Sequence, residues 1–441
     1  MRLRFWGTRG SIATPGPGTN HFGGNTSCVE LTTDSGQRFI FDCGTGARPL
    51  GAHLMANGPK PVIATILLSH THWDHIQGFP FFAPLFVPGN KITICGPEGC
   101  NKSLPDVLSG QMEYTYFPVE LTQLGAKLDY RDMTEGTHEF GEVRITAQYL
   151  NHPAVALGYR VEADGVTLLY LCDHEPFNDT LWRSDAQPGK IDSMLHGGDR
   201  RHAAFMKGGD LVIHDAQYTP EEYPAKKNWG HSPFTYVVKA AAAAGVRKLI
   251  LTHHDPTHDD AFLAGVEVRA RELAAQIGSP MDIHCAHEGW DLPVESQDLE
   301  ERPDLSYAPA MRLEACGLSL LLVDDDEDLR LLARRALSAT GFRVKEAANG
   351  TEALQMIQSR DFDLVVLDLN MPPPDGLEVL RILRSEPQTK TLPVLVLTGR
   401  DDEAATRRSF ELGATDFLNK PFTPPQLNAR VVACFSHSIS R

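Results

Sequence analysis

Six consecutive residues constrain this chain more than any others. His70-Thr71-His72-Trp73-Asp74-His75 sets four potential metal ligands at the end of the apolar run 62–68 (VIATILL). The run reads as a buried strand, and four such groups at its mouth cannot all be buried without partners. His70 and His72, two residues apart in an extended segment, point the same way, whereas Asp74 and His75 fall in the following turn. One tetrahedral zinc rarely takes four ligands from six consecutive residues, so the string predicts two adjacent metal ions.

The remaining histidines follow a boundary. Of 18, 17 lie before residue 290, so the two parts of the chain do different chemistry. A length of 441 residues predicts two or three domains. Residues 291–316 carry seven acids, two Arg and three Pro without apolar periodicity, and read as a linker between domains at 1–290 and 317–441. A net charge of −16 argues against duplex DNA as a partner. No apolar run reaches the ~20 residues a membrane span needs, and Met1-Arg2-Leu3-Arg4 is no secretion signal, so a soluble, cytoplasmic protein is expected. Eight Cys without a C-x-x-C pair read as free thiols.

Before residue 290, runs 62–68, 166–171, 211–213 and 248–251 read as buried strands. Each runs straight into polar residues: Ser69-His70, Cys172-Asp173-His174, His214-Asp215 and Thr252-His253-His254. Ser232-Pro233 reads as the start of a helix over 233–244, stopped by Gly245. Polar clusters at the carboxyl ends of strands are a recurrent active-site layout in α/β proteins.

The H-x-H-x-D-H string resembles the signature of the metallo-β-lactamase superfamily, and the resemblance extends over about 1–290. It implies an αββα sandwich and a third histidine at Asn151-His152-Pro153, with Gly158-Tyr159-Arg160 following. A bridging aspartate at Asp173 and a last ligand at His253 are implied as well. One metal would then be held by His70, His72 and His152, the other by Asp74, His75 and His253, with Asp173 between them. The implied ions are divalent transition metals, zinc first, with manganese or iron as alternatives. Within the superfamily the nearest likeness is to ribonuclease Z and related phosphodiesterases, through the glycine-rich start, Phe41-Asp42-Cys43-Gly44 and His231-Ser232-Pro233. That likeness makes His231 a proton-handling residue paired with the aspartate of the first motif, beside Asp74 and Asp173 as catalytic residues. Only 21 residues separate His152 from Asp173, too few for a tRNA-gripping arm. The expected substrate is therefore a small phosphodiester, such as a cyclic nucleotide or short oligonucleotide. A lactone or thioester, or a domain that only senses a ligand, are the alternatives. The loop 14–24 is a candidate for presenting N–H groups to phosphate, Asp215 for orienting a ligand histidine, and His21, His174, His254, Asp255 and His258 for outer positions.

Residues 317–441 read as five β/α units in a doubly wound parallel sheet, with strands at 318–323, 363–367, 392–397 and 415–418, a helix at 328–340, and a last helix near Pro424. Asp324, Asp325, Asp368, Thr398 and Lys420 stand at or just past strand ends. Carboxylates gathered in this way need a divalent ion, and oxygen ligands suit Mg²⁺. This half resembles the response-regulator receiver domain. The likeness makes Asp368 the phospho-acceptor and Asp324, Asp325, Asp368 and the backbone of Asn370 the Mg²⁺ ligands. Thr398 and Lys420 become the phosphate-sensing pair and Phe417 the switch aromatic. A histidine kinase is the implied partner, and docking of one receiver on another would make the protein a homodimer.

Overall fold

The computed structural model describes residues 1–97, 102–177, 181–182, 189–295, 318–339, 341–359, 361–399, 408–409 and 411–420, with 422, 427, 428, 430, 431 and 434 beyond them. It divides into two compact units, Met1–Ala308 and Pro309–Arg441.

The first unit is built on two seven-stranded sheets. In one, Asp291–Pro293, Arg2–Gly7, Cys28–Thr32, Arg38–Phe41, Ile63–Leu67, Lys91–Pro97 and Lys127–Met133 lie side by side in that order. The other runs Asp282–Cys285, Lys248–Thr252, Leu211–Asp215, Val166–Leu171, Leu157–Ala163, Val143–Tyr149 and Gly136–Phe140. Period-two alternation sorts each strand's side chains into two layers. Leu168 and Tyr170 join Ile213, Ile250, Phe5, Phe39 and Phe41 between the sheets. Leu169 and Leu171 instead meet Val237, Ala241, Leu263 and Val266 from helices Phe234–Ala243 and Asp260–Gln276. Outside the first sheet, Ile40, Ile66 and Ile94 cover Leu50 and Leu54 of helix Ala47–Asn57. The layer order is helix, sheet, sheet, helix.

Two local expectations differ. Residues 291–293, assigned above to the linker, pair antiparallel with Arg2–Arg4, and Leu292 and Val294 are buried in the core. The acidic composition of this stretch hid three residues that complete a sheet edge. Residues 296–316 of the linker lie outside the described residues. Helix Phe234–Ala243 begins after Pro233, and Ser232 does not cap it. The Ser232 hydroxyl donates instead to the His174 carbonyl at 2.5 Å, which ties the helix start to the strand end carrying Asp173. Gly245, with φ +71°, follows the helix as expected. All six described cysteines are buried free thiols.

The second unit has a five-stranded parallel sheet, in order Arg343–Ala347, Ser319–Val323, Leu364–Asp368, Val394–Gly399 and Asp416–Lys420. Leu320, Leu322, Val366 and Leu397 face Ala333 and Leu337 on one side, while Leu321, Val365 and Val396 face Val379 and Leu383 on the other. Arg343–Ala347 carries alternating charges at an edge, so apolar content alone did not reveal it. Pro424 itself lies outside the described residues, but Leu427, Asn428, Arg430, Val431 and Cys434 beyond it are helical, and Leu427, Val431 and Cys434 are buried against the sheet. Among those described, no helix is long and apolar enough to cross a membrane.

Candidate metal centre

Strand ends from both sheets of the first unit converge on one point. Ile63–Leu67 leads into His70, Val143–Tyr149 into His152, Val166–Leu171 into Asp173 and Lys248–Thr252 into His253. His72 precedes the single turn Trp73–Ile76, which carries Asp74 and His75.

Asp173 stands between two clusters. Its Oδ2 lies 3.5 Å from His70 Nε2 and 3.7 Å from His152 Nε2, and His152 Nε2 is 3.1 Å from His72 Nδ1. Its Oδ1 lies 3.3 Å from His75 Nε2 and 3.2 Å from His253 Nε2. Asp74 Oδ2 closes the second cluster at 3.3 Å from His75 Nε2 and 3.1 Å from His253 Nε2. The geometry thus brings together all seven residues expected to hold metal. Two further overlapping groups include Cys172 and the trio Asp215, His231 and His253. Burial pushes the Cys172 thiol well up.

The far nitrogens of these rings show what the near ones must do. His75 Nδ1 donates to Asp42 Oδ2 at 2.8 Å, and His152 Nδ1 to the Gly230 carbonyl at 3.1 Å. His253 Nδ1 meets Gln217 Oε1 at 3.3 Å. With the proton on that side, each Nε2 presents a lone pair to the centre. Lone pairs and carboxylate oxygens then face one another, His70 Nε2 and Asp173 Oδ1 have no hydrogen-bond partner, and Asp173 is 1% exposed. Such a set of acceptors is stable only around positive charge, so the residues fit a pair of divalent cations. Electrostatics agree. Burial holds the His70 imidazole well below its ordinary range and pushes His152 down to about 3, which keeps both neutral. Against burial, the Asp74, Asp173 and Asp42 carboxylates lift His75 well above its ordinary range, the same negative field that would hold a cation there in place of the Nε2 proton, and the surrounding imidazoles hold Asp173 well below its own.

The backbone is bent to permit this. Ser11, Asp42, Asp173 and His253 all have φ between +58° and +63°, a region costly for residues with a Cβ. Glycine supplies the close approach elsewhere: a Cβ on Gly10 would stand 2.4 Å from the His253 ring, and one on Gly230 2.2 Å from His152 Nδ1.

Asp42 had been noticed above only as part of a resemblance, with no role. Besides His75 it accepts from the Ser69 backbone N–H and hydroxyl and from the Tyr170 hydroxyl, at 2.7, 2.9 and 2.7 Å. Its place one residue past Arg38–Phe41 was the available signal. Asp42→Asn, which keeps the shape and loses the charge, is expected to weaken metal retention about 10–100-fold, the usual effect of losing a ligand's orienting partner. Chelator competition on the two proteins measures it, and equal retention would assign Asp42 to the fold alone.

Two expectations need correction. His231 pairs with Asp215, not with Asp74: Nδ1 is 3.0 Å from Asp215 Oδ2 and 4.0 Å from Asp173 Oδ2. Asp215 accordingly orients His231 and not a ligand histidine, and its own oxygens are held by the N–H groups of His174 and Gln217. Burial opposes charge on His231, yet Asp215 and Asp173 raise it to about 9. In the loop 14–24, the candidate for phosphate, the N–H groups of Thr14, Thr19, His21, Phe22 and Gly23 are engaged within the fold. Those of His21 and Phe22 go to Asp260, that of Gly23 to Thr19, and that of Asn25 just beyond to Glu288. Of the outer candidates, His254 bonds the Ala286 carbonyl, His258 bonds Glu222, Asp255 bonds Thr257, and His174 stacks on His202 at 3.6 Å.

In the second unit, Asp324, Asp325 and Asp368 bring carboxylate oxygens within 4.8 Å of one another. Lys420 Nζ lies 2.6 Å from Asp324 and 2.9 Å from Asp368. The Asn370 N–H donates to Asp368 Oδ1 at 3.2 Å, Thr398 is buried, and Phe417 is half-buried in the adjoining core. Burial, with Asp368 adding to it, raises the Asp324 carboxyl even beside Lys420. One cation cannot balance three clustered acids, and the set fits a further divalent ion of the Mg²⁺ type.

Comparison with known proteins separates the two units. Residues 37–254 match the family model of a beta-lactamase superfamily domain, and residues 320–432 that of a response regulator receiver domain. The transcriptional regulatory protein GltR of Pseudomonas aeruginosa is 39% identical over 121 residues, 27% of this chain and 50% of that protein. Response regulator MprA of Mycobacterium ulcerans is 47% identical over 117 residues, 26% of this chain and 50% of its own. The chain thus spans about half the length of these curated relatives. Among solved structures, the metallo-beta-lactamase fold protein YhfI from Bacillus subtilis is 17% identical, covering 66% of this chain and 98% of that one with a TM-score of 0.46.

Proposed function

This chain joins a beta-lactamase superfamily domain of metallo-beta-lactamase fold to a response regulator receiver domain, and on that premise we propose that it is a metal-dependent phosphodiesterase controlled by phosphorylation of Asp368. The observation that carries the reading is Asp173 shared between two ligand clusters, with the Asp215–His231 pair beside them. His70, His72, His152 and Asp173 would hold one ion, and Asp74, His75, His253 and Asp173 the other. Two such ions supply Lewis acidity, which activates water and neutralises charge on phosphoryl oxygens.

The chain's own groups do the rest. Asp215 fixes the His231 ring and favours its charged form, so His231 carries a proton near neutral pH. That proton suits a departing alkoxide, the task of a general acid. Asp74 has its Oδ2 held by the Ser11 N–H at 2.8 Å, which sets the carboxylate's orientation in the second cluster. Turnover of cyclic mono- and dinucleotides, linear RNA, lactones and thioesters by the purified protein tests the reading. Hydrolysis of phosphodiesters is expected, and hydrolysis of a lactone or thioester alone would replace it.

Control would begin at Asp368. A phosphoryl group there adds negative charge beside Lys420 and Thr398, and movement of Thr398 makes room for Phe417 to rotate. A histidine kinase is the proposed phosphodonor. With acetyl phosphate and Mg²⁺, the wild type is expected to gain one phosphoryl group and change its hydrolysis rate ~5–150-fold, the range of typical allosteric couplings. Asp368→Asn should do neither while keeping its metals. Phosphorylation with no change in rate or in oligomeric state would dismiss the receiver as regulator.

A further inference from the structure

Resting on the phosphodiester reading, we propose that Trp73 and Trp229, with Lys226 on the face of Trp229, form a seat for a nucleobase, which makes the substrate a nucleotide. Of the chain's five tryptophans, Trp6 is buried, Trp182 and Trp290 are half-buried, and only Trp73 (76%) and Trp229 (57%) are exposed. Both lie beside the metal centre. Trp73 sits between His72 and Asp74 in the chain. Trp229 precedes Gly230, whose carbonyl holds His152 Nδ1 at 3.1 Å. Since His72 Nδ1 and His152 Nε2 are 3.1 Å apart, the segments carrying the two indoles converge on one pair of ligands. His72 is itself exposed, so the first cluster opens to solvent on this side.

Neither indole serves the core, and an exposed tryptophan beside a polar centre offers a flat π face to whatever enters. Lys226 Nζ lies 4.3 Å from the Trp229 ring and 5.8 Å from the Tyr218 ring, which in turn meets the His231 ring edge-on at 5.9 Å. A cation therefore stands against an exposed indole, one aromatic ring away from the Asp215–His231 pair, in a chain of net charge −16. A base that stacks on tryptophan while its phosphate reaches Lys226 and the centre uses both features together. Stacking is tolerant of base identity, so the seat selects nucleotides as a class.

Binding of AMP and of ribose 5-phosphate, which carry the same phosphomonoester, tests the seat on the full-length protein by calorimetry. AMP should bind ~5–150-fold more tightly, the equivalent of one base stacked on an aromatic ring. Trp73→Ala and Trp229→Ala should each lower that ratio, whereas Trp229→Phe, which keeps a π face, should retain most of it and thereby exclude misfolding. Equal binding of the two ligands by the wild type, or an unchanged ratio in both alanine variants, would overturn the seat. Hydrolysis of the baseless diester methyl p-nitrophenyl phosphate separates the two readings. If it proceeds without a base preference, the seat fails and the phosphodiesterase stands. If no diester is cleaved while the preference persists, the reverse holds.

Discussion

Asp173→Ala is expected to lose at least one of two bound metal ions and to reduce turnover below detection. The two oxygens of Asp173 serve different clusters, Oδ2 facing His70 and His152 and Oδ1 facing His75 and His253. Removing the side chain takes negative charge from both at once. Losing an orienting partner alone costs a metal site about 10–100-fold in affinity, so losing a shared ligand should exceed the upper end of that range. Asp173 also sits at φ +63°, a conformation Asp and Asn tolerate better than Ala. Asp173→Asn therefore belongs in the experiment: it keeps the backbone preference and the shape, and should still lose metal. Elemental analysis reads both variants. Two full equivalents in Asp173→Asn would sink the shared-ligand assignment.

His231→Ala should lower turnover by about 10²–10⁴, or ~3–5 kcal/mol in barrier, while metal content stays near that of the wild type. His231 reaches Asp173 only at 4.0 Å and spends Nδ1 on Asp215, so its removal does not strip a cluster of its main ligands. The loss should depend on the leaving group. A p-nitrophenolate leaves with little need of a proton, whereas a ribose alkoxide needs one, so the variant should be impaired far more on the nucleotide. Asp215→Asn should follow the same pattern more weakly, because the ring stays but loses the carboxylate that favours its charged form. Equal losses on both substrates would make His231 a structural residue.

The parts legible in the sequence are those set by neighbours in the chain. The short, nearly continuous apolar run VTLLYL located the strand Val166–Leu171, because a strand covered on both faces buries both sets of alternate side chains. Four potential ligands in six residues marked the centre, since no ordinary packing buries them unpaired. In the second unit, apolar strands ending in Asp324, Asp368 and Thr398 announced a sheet with its polar groups at one edge. Where the local signal was mixed, the reading slipped. Asp291–Pro293 looked like linker because the seven acids of 291–316 outweighed Leu292, and Arg343–Ala347 was passed over because an edge strand need not be apolar.

Only the tertiary structure decided which polar group meets which. Asp42 supports His75 across 33 residues, Gly230 supports His152 across 78, and Asp260 and Glu288 reach back more than 230 residues to occupy the loop that sequence had offered to phosphate. The resemblance paired His231 with Asp74, and folding paired it with Asp215. The left-handed backbone at Asp42, Asp173 and His253 was equally hidden, since nothing in an aspartate or histidine requires it. The physical reason is range. Periodicity and ligand density act between residues a few positions apart, so they survive in the linear order. A buried hydrogen bond is selected by the packing of whole sheets, which must satisfy every polar group they enclose, and that condition exists only once the sheets have met.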